Sequence, residues 1–297
     1  MYPREFCYHR PSSLKEAATM LAQLGEGAKL LAGGQSLIPL MKLRFANPAH
    51  LVDLKFVAGT SYIREEEGGI RFGALTCHAE IESSSWASKI PILHDCAAGI
   101  ADPQVRNRGT IGGSLAEADP SGDWATVLMT LPTEIRCLRP EGERMIPISE
   151  FIKDAYTTAL SHDEVLREIF LKLPPKGSGG AYLAFKRCAP VYPTASAAVQ
   201  LTIEGDACRE ARIALGCVGL TPVRVKEAEA ALQNQEISEQ TISLATEAAR
   251  TSADPQSDMR GSADYKRSLV AALVKRAIEI ARKRARGEKV EVSHLYA

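Results

Sequence analysis

Past residue 180 the order of the apolar patterns settles the class of fold. Residues 181–187, 195–204 and 207–218 read as three strands, and 224–232, 238–251 and 262–286 read as helices. A run of strands followed by a run of helices predicts α+β architecture, because a doubly wound sheet would alternate the two. Just ahead, Pro174-Pro-Lys-Gly-Ser-Gly-Gly180 has the composition of a linker and sets an expected boundary near 176.

Upstream the signals are mixed. Ser13-Leu-Lys-Glu16 reads as a capping box opening a helix that Gly25 and Gly27 end. A buried strand at 28–32, a sharp Gly33-Gly34-Gln35-Ser36 turn, a short helix at 37–44 and a strand at 50–54 follow. Residues 63–66 and 70–74 form an expected hairpin, and 77–98 has helical spacing interrupted at Pro91. A glycine-rich stretch at 106–114 precedes a short helix at 123–131, a second hairpin (134–138 with 145–148) and an extended run at 163–173.

Charge and cysteine usage exclude several functions. Thirty-six basic residues balance thirty-six acidic ones, which argues against general nucleic-acid binding. No apolar run suits a membrane span, and the first residues have no signal or transit character, so a cytoplasmic protein is expected. Cys7, Cys77, Cys96, Cys137, Cys188, Cys208 and Cys217 include no CxxC pair, so no zinc or iron–sulfur site of the chain's own is expected. His9, His50, His78, His94, His162 and His294 have no metal or triad spacing and read as surface or capping residues. From Tyr265 to Lys289 nine basic residues face two acidic ones, with Leu269, Leu273, Ala277 and Ile280 at helical spacing. That helix reads as solvated on its charged face, with partner docking as the sharper alternative.

Two glycine turns can carry chemistry. Gly33-Gly34-Gln35-Ser36 between a strand and a helix start can bring backbone N–H groups to a pyrophosphate, or it can be a tight turn and nothing more. Neither the P-loop lysine nor the GxGxxG spacing is present. Gly109-Thr-Ile-Gly-Gly-Ser114 repeats the chemistry of glycine backbone and small hydroxyls. Asp119 and Asp123 follow, as contacts to a cofactor or as caps near Pro120.

Leu31-Ala-Gly-Gly-Gln-Ser-Leu-Ile-Pro-Leu-Met-Lys-Leu-Arg44, together with Arg106-Asn-Arg-Gly-Thr-Ile-Gly-Gly-Ser-Leu115, resembles the FAD-binding medium subunit of molybdenum hydroxylases, the xanthine dehydrogenase and carbon monoxide dehydrogenase family. Phe6-Cys-Tyr-His-Arg-Pro11, Gly219-Leu-Thr-Pro222 and Asp258-Met-Arg-Gly-Ser-Ala-Asp-Tyr-Lys-Arg267 extend the likeness to nearly the whole chain. Ser114 stands where many members have Asn, Gln35 where carbon monoxide dehydrogenases have His, and Glu117 where related sequences often have His or Asn.

The resemblance implies a vanillyl-alcohol-oxidase-type (PCMH-like) FAD-binding domain over 1–176, with subdomains at roughly 1–57 and 58–176. A smaller α+β C-terminal domain over 177–297, three strands plus helices, would follow. It implies that Ala32, Gly33, Gly34, Gln35, Ser36 and Leu37, with Thr110, Ile111, Gly112, Gly113 and Ser114, hold FAD along its pyrophosphate and ribityl chain. Asp123 matches a cofactor-contacting Asp, Lys186 a Lys near the flavin ring, and Tyr192 an aromatic beside it. From the residues alone, Lys186 reads equally as a solvated strand end, and Tyr192 as a core or turn aromatic.

The expected partners are a large molybdenum-cofactor subunit and a small subunit with two [2Fe-2S] clusters, arranged as a dimer of heterotrimers. Electrons would pass from those clusters through FAD to NAD⁺, oxygen or a quinone, and this chain needs no catalytic nucleophile or metal. A stand-alone FAD-dependent oxidoreductase of the same fold and a flavin-free assembly module are the alternatives.

Overall fold

The structure, a computed structural model, describes residues 2–188 and 190–292. Strand β1 (Cys7–His9), helix α1 (Leu14–Leu24), strand β2 (Ala28–Leu31), helix α2 (Leu37–Leu43) and strand β3 (His50–Asp53) come first. The strands form a wholly parallel sheet in the order β1-β3-β2, so their carboxyl ends lie on one edge. Ala17, Ala18 and Leu21 of α1 pack against Val52, Leu54 and Val57. Ser13 caps α1 by accepting from the Glu16 N–H at 3.1 Å, but the Glu16 carboxylate reaches back to Ser12, one residue beyond the box the sequence predicts. Three residues of β1 are too few to show a period, so sequence reasoning missed this strand.

A second sheet follows. Strands β4 (Ile63–Glu66) and β5 (Gly69–Gly73) lead into six helices: α3 (His78–Glu82), α4 (Ser85–Lys89), α5 (Pro91–Gly99), α6 (Pro103–Arg106), α7 (Ile111–Glu117) and α8 (Asp123–Leu128). Strands β6 (Thr133–Leu138) and β7 (Glu143–Pro147), helix α9 (Ile148–Phe151), the small pair β8 (Ile152–Asp154) and β9 (Thr157–Thr158), and β10 (Val165–Lys172) complete this part. The antiparallel sheet runs β4-β5-β10-β6-β7. Its late strand β10 thus pairs with both expected hairpins, and Phe72, Trp124, Phe151 and Ile169 share the core beside it.

The expected 77–98 helix is broken twice, since Ser84 caps a new turn and Pro91 starts another. The second glycine stretch is not an open turn. Gly112 and Gly113 lie in the first turn of α7, which Thr110 caps by accepting from the Gly113 N–H.

The remaining sheet is an antiparallel meander of β11 (Ser178–Phe185), β12 (Ala195–Glu204), β13 (Ala207–Gly216) and β14 (Val223–Arg224). Helices α10 (Lys226–Leu232), α11 (Glu239–Ser252) and α12 (Ala263–Ala285) supply the rest of its core. The fourth strand replaces the expected start of a helix at 224, because Val223 and Arg224 pair with Leu215 and Ala214.

Ser178, Gly179 and Gly180 are not linker but strand. A Cβ at Gly179 would overlap the Ala281 carbonyl and the Ala285 amide, so the missing side chain lets α12 lie directly on β11. The packed stripe of α12 is Val270, Val274, Ala277, Ile278 and Ala281, with Leu269 and Leu273 only partly buried beside it. Lys266 and Arg284, two of the nine basic residues in this stretch, are buried.

Candidate functional site

The chain turns from β2 into α2 at the carboxyl edge of the parallel sheet. Gly34 has φ +74°, a conformation open to glycine at little cost, and Ser36 gives α2 no side-chain cap. Among the described residues, the N–H groups of Gly33, Gly34, Gln35, Ser36 and Leu37 donate to no acceptor. Five successive amides without a protein acceptor, in a turn that is mostly half-buried, are suited to an anion.

The second glycine stretch lies against this turn. A Cβ on Gly33 would overlap the Arg108 carbonyl oxygen and stand 2.9 Å from Gly109 Cα, and one on Gly113 would stand 3.6 Å from Ala32 Cβ. The structure therefore brings Ala32 and Gly33 against Arg108, Gly109 and Gly113.

Their chemistry differs from the expectation of two equal amide cradles. The Ile111 and Gly112 amides donate to the carbonyls of Thr76 and Ala74, and the Gly113 and Ser114 amides to Thr110. What this stretch offers a ligand is the Thr110 amide, which donates to no acceptor among the described residues, and the hydroxyls of Thr110 and Ser114. A side chain at Gly112 would meet Ala74, so that glycine keeps α7 close to the end of β5.

Asp123, in the first turn of α8, is 6% exposed and accepts from the Tyr182 hydroxyl at 2.7 Å. Gly122 is the N-cap, so capping does not explain Asp123, whereas Asp119 accepts from the Ser121 amide in a tight turn. Lys186, just past β11, is 7% exposed and donates to the Gly99 carbonyl at the end of α5, which removes the solvated strand-end reading.

Tyr192 is 43% exposed, and its hydroxyl lies beside Asp119. Burial raises its pKa, helped by the Asp119 charge. The Arg260 guanidinium stands 5.8 Å from the Tyr192 ring centroid and donates to Ser121 Oγ. Burial, with Asp119 nearby, also raises the Glu117 carboxyl.

Contacts across long sequence separations were invisible beforehand. His9 Nε2 and His50 Nδ1 lie 3.0 Å apart across paired β1 and β3. His94 and His162 are exposed as expected, and His294 lies outside the described residues.

His78 departs from the surface expectation. It is 5% exposed, accepts from Trp124 Nε1 at 3.0 Å through Nδ1, and its backbone N–H donates to the Gly109 carbonyl. It thus props the second glycine stretch from behind. Burial, then the nearby Arg106 charge, pushes its pKa down to about 4. The unfolded chain takes up this proton first as pH falls, so stability declines from the ordinary histidine value of about 6.5 down to about 4, by on the order of 3 kcal/mol at most. Urea midpoints at pH 7.5, 6 and 5 should fall more steeply in the natural chain than in His78→Gln, which keeps an acceptor but cannot titrate. Parallel pH profiles would remove this role.

Among the described residues no cluster of three or more His, Cys, Asp or Glu could hold a metal ion, and no helix is long and apolar enough to cross a membrane.

Residues 4–174 match the family model of the FAD binding domain in molybdopterin dehydrogenase, and 180–281 that of the CO dehydrogenase flavoprotein C-terminal domain. The carbon monoxide dehydrogenase medium chain of Afipia carboxidovorans is 40% identical over 287 residues, covering 96% of this chain and 100% of that one. Subunit alpha of the 6-hydroxypseudooxynicotine dehydrogenase complex of Paenarthrobacter nicotinovorans is 38% identical over 99% of this chain and 100% of its own length. A solved carbon monoxide dehydrogenase of Hydrogenophaga pseudoflava, lacking the Mo-pyranopterin moiety of its molybdenum cofactor, superposes with a TM-score of 0.93 at 40% identity. That match covers 96% of this chain and 99% of that one. With an α+β fold, paired glycine stretches and full-length likeness in agreement, the chain belongs to the FAD-binding medium-subunit family of molybdenum hydroxylases.

Proposed function

We propose that this chain is the FAD-carrying medium subunit of a three-chain molybdenum hydroxylase, linking the [2Fe-2S] clusters of a small partner to an external electron acceptor. A large partner would hold the molybdenum cofactor and oxidise the substrate. We further place the complex in the cytoplasm as a dimer of heterotrimers. The FAD-binding unit would span 1–176, with subdomains near 1–57 and 58–176, and the C-terminal unit would begin at 177.

The run of unsatisfied amides from Gly33 to Leu37, pressed against the second glycine stretch, carries this reading. A pyrophosphate would satisfy those donors without a lysine, as anions do in other backbone nests. Thr110 and Ser114 would add hydroxyl donors, and Asp123 would accept from the cofactor. Lys186 would place a buried cation beside the flavin ring, favouring added negative charge there, and Tyr192 would cover one side of the ring. FAD, when bound, supplies redox chemistry that the side chains lack.

Purified with its partner chains, the protein should show flavin absorbance, and molybdenum and iron should co-purify in other chains. The isolated, metal-free chain should not oxidise carbon monoxide, purines, N-heterocycles or aldehydes. Turnover by that chain alone would favour a stand-alone oxidoreductase, and absence of flavin from the complex would leave an assembly module.

A further inference from the structure

Tyr182 is held at both ends by carboxylates from outside its sheet. Its backbone N–H donates to Asp95 Oδ2 of α5 at 3.1 Å, and its hydroxyl donates to Asp123 Oδ1 of α8 at 2.7 Å. Asp95 is fixed by a fork from Arg284 of α12, at 2.5 and 2.9 Å. Tyr182 is 1% exposed, and Asp95, Ser196 and Cys96 around it are equally buried. Burial, reinforced by the Asp123 charge, keeps the phenol protonated far above its ordinary range. Its O–H is therefore a permanent donor with both backbone and ring locked in place.

We propose that Tyr182 is a positioning residue for the flavin site: it fixes the orientation of the Asp123 carboxylate and draws on its charge, so that the carboxylate meets the cofactor preorganised. This inference rests on the reading of Asp123 as a flavin contact. Removing the hydroxyl leaves the carboxylate with more rotational freedom and more concentrated negative charge. The first change weakens cofactor binding, and the second opposes adding electrons to a flavin close by.

Tyr182→Phe keeps the ring and its packing. In the full chain loaded with FAD, the dissociation constant should rise about tenfold, as for loss of a hydrogen bond to a charged group. The flavin midpoint potential should fall. Arg284→Lys, one step removed from Asp123, should lower the melting temperature and leave the potential unchanged. Fluorotyrosine incorporated at 182, a stronger donor of nearly the same size, should raise the potential, and it serves if the phenylalanine variant does not fold. Unchanged affinity and potential in both Tyr182 variants would overturn the proposal, as would an equal potential shift in Arg284→Lys. A natural chain that binds no FAD would instead overturn the flavin reading, and the proposal with it.

Discussion

Gly33→Val is expected to release FAD from the protein, lowering affinity by at least about a hundredfold if the unsatisfied amides are the main anchor of the phosphates. The clash lies inside the protein. A Cβ at 33 would overlap the Arg108 carbonyl and press on Gly109 Cα, and both are backbone atoms that cannot swing aside. The two glycine stretches must then part, and the row of amides from Gly33 to Leu37 is displaced. Overpacking of this kind costs about 1–3 kcal/mol, so the chain should still fold while the cradle opens. Flavin absorbance per chain after desalting, beside a thermal melt, checks both statements. A variant with natural flavin content would show that the contact between the stretches is irrelevant to binding.

Asp95→Ala should be among the most destabilising single changes in the chain. It removes the only carboxylate that Arg284 pairs with among the described residues, and the Arg284 side chain is 5% exposed. Breaking a buried pair from one side costs about 3–5 kcal/mol, because a charge is left without its counter-charge. Arg284 also donates to the carbonyls of Gly180 and Val290, which points to the lower end of that range. The Tyr182 amide loses its acceptor as well. Asp95→Leu combined with Arg284→Met should recover much of the loss, since no buried charge then remains. Chemical denaturation of the natural chain, Asp95→Leu, Arg284→Met and the double variant gives the coupling directly, and a loss under about 1 kcal/mol in Asp95→Ala would show the pair to be hydrated and weak.

What was readable from the sequence is local. The cap at Ser13, the end of α1 at Gly25, the hairpins and the two glycine motifs are encoded within a few residues, where spacing and special backbone angles leave a mark. The unread features depend on distance. Gly179 looks like linker until α12, a hundred residues later, is laid on it. The Ile111 to Ser114 amides look available until Ala74 and Thr76 claim two of them. His78, Asp95, Tyr182 and Arg284 carry no signature beyond residue type, because each partner stands 46 to 189 residues away. Similarly, Lys186 could be separated from a surface lysine only by the carbonyl that meets it.

The pairing of Asp95 with Arg284 also sets an order of events during synthesis. The two residues are 189 positions apart, which the ribosome covers in roughly 10–40 s at 5–20 residues per second. Throughout that interval the nascent chain holds α5 without the cation that neutralises it, and β11 has no α12 to lie against. The amino-terminal sheets can therefore collapse early, but they cannot be sealed until translation has passed α12. A chain broken off before that point keeps an unmatched carboxylate and an uncovered sheet face, the marks by which proteolysis distinguishes an unfinished product from a finished one.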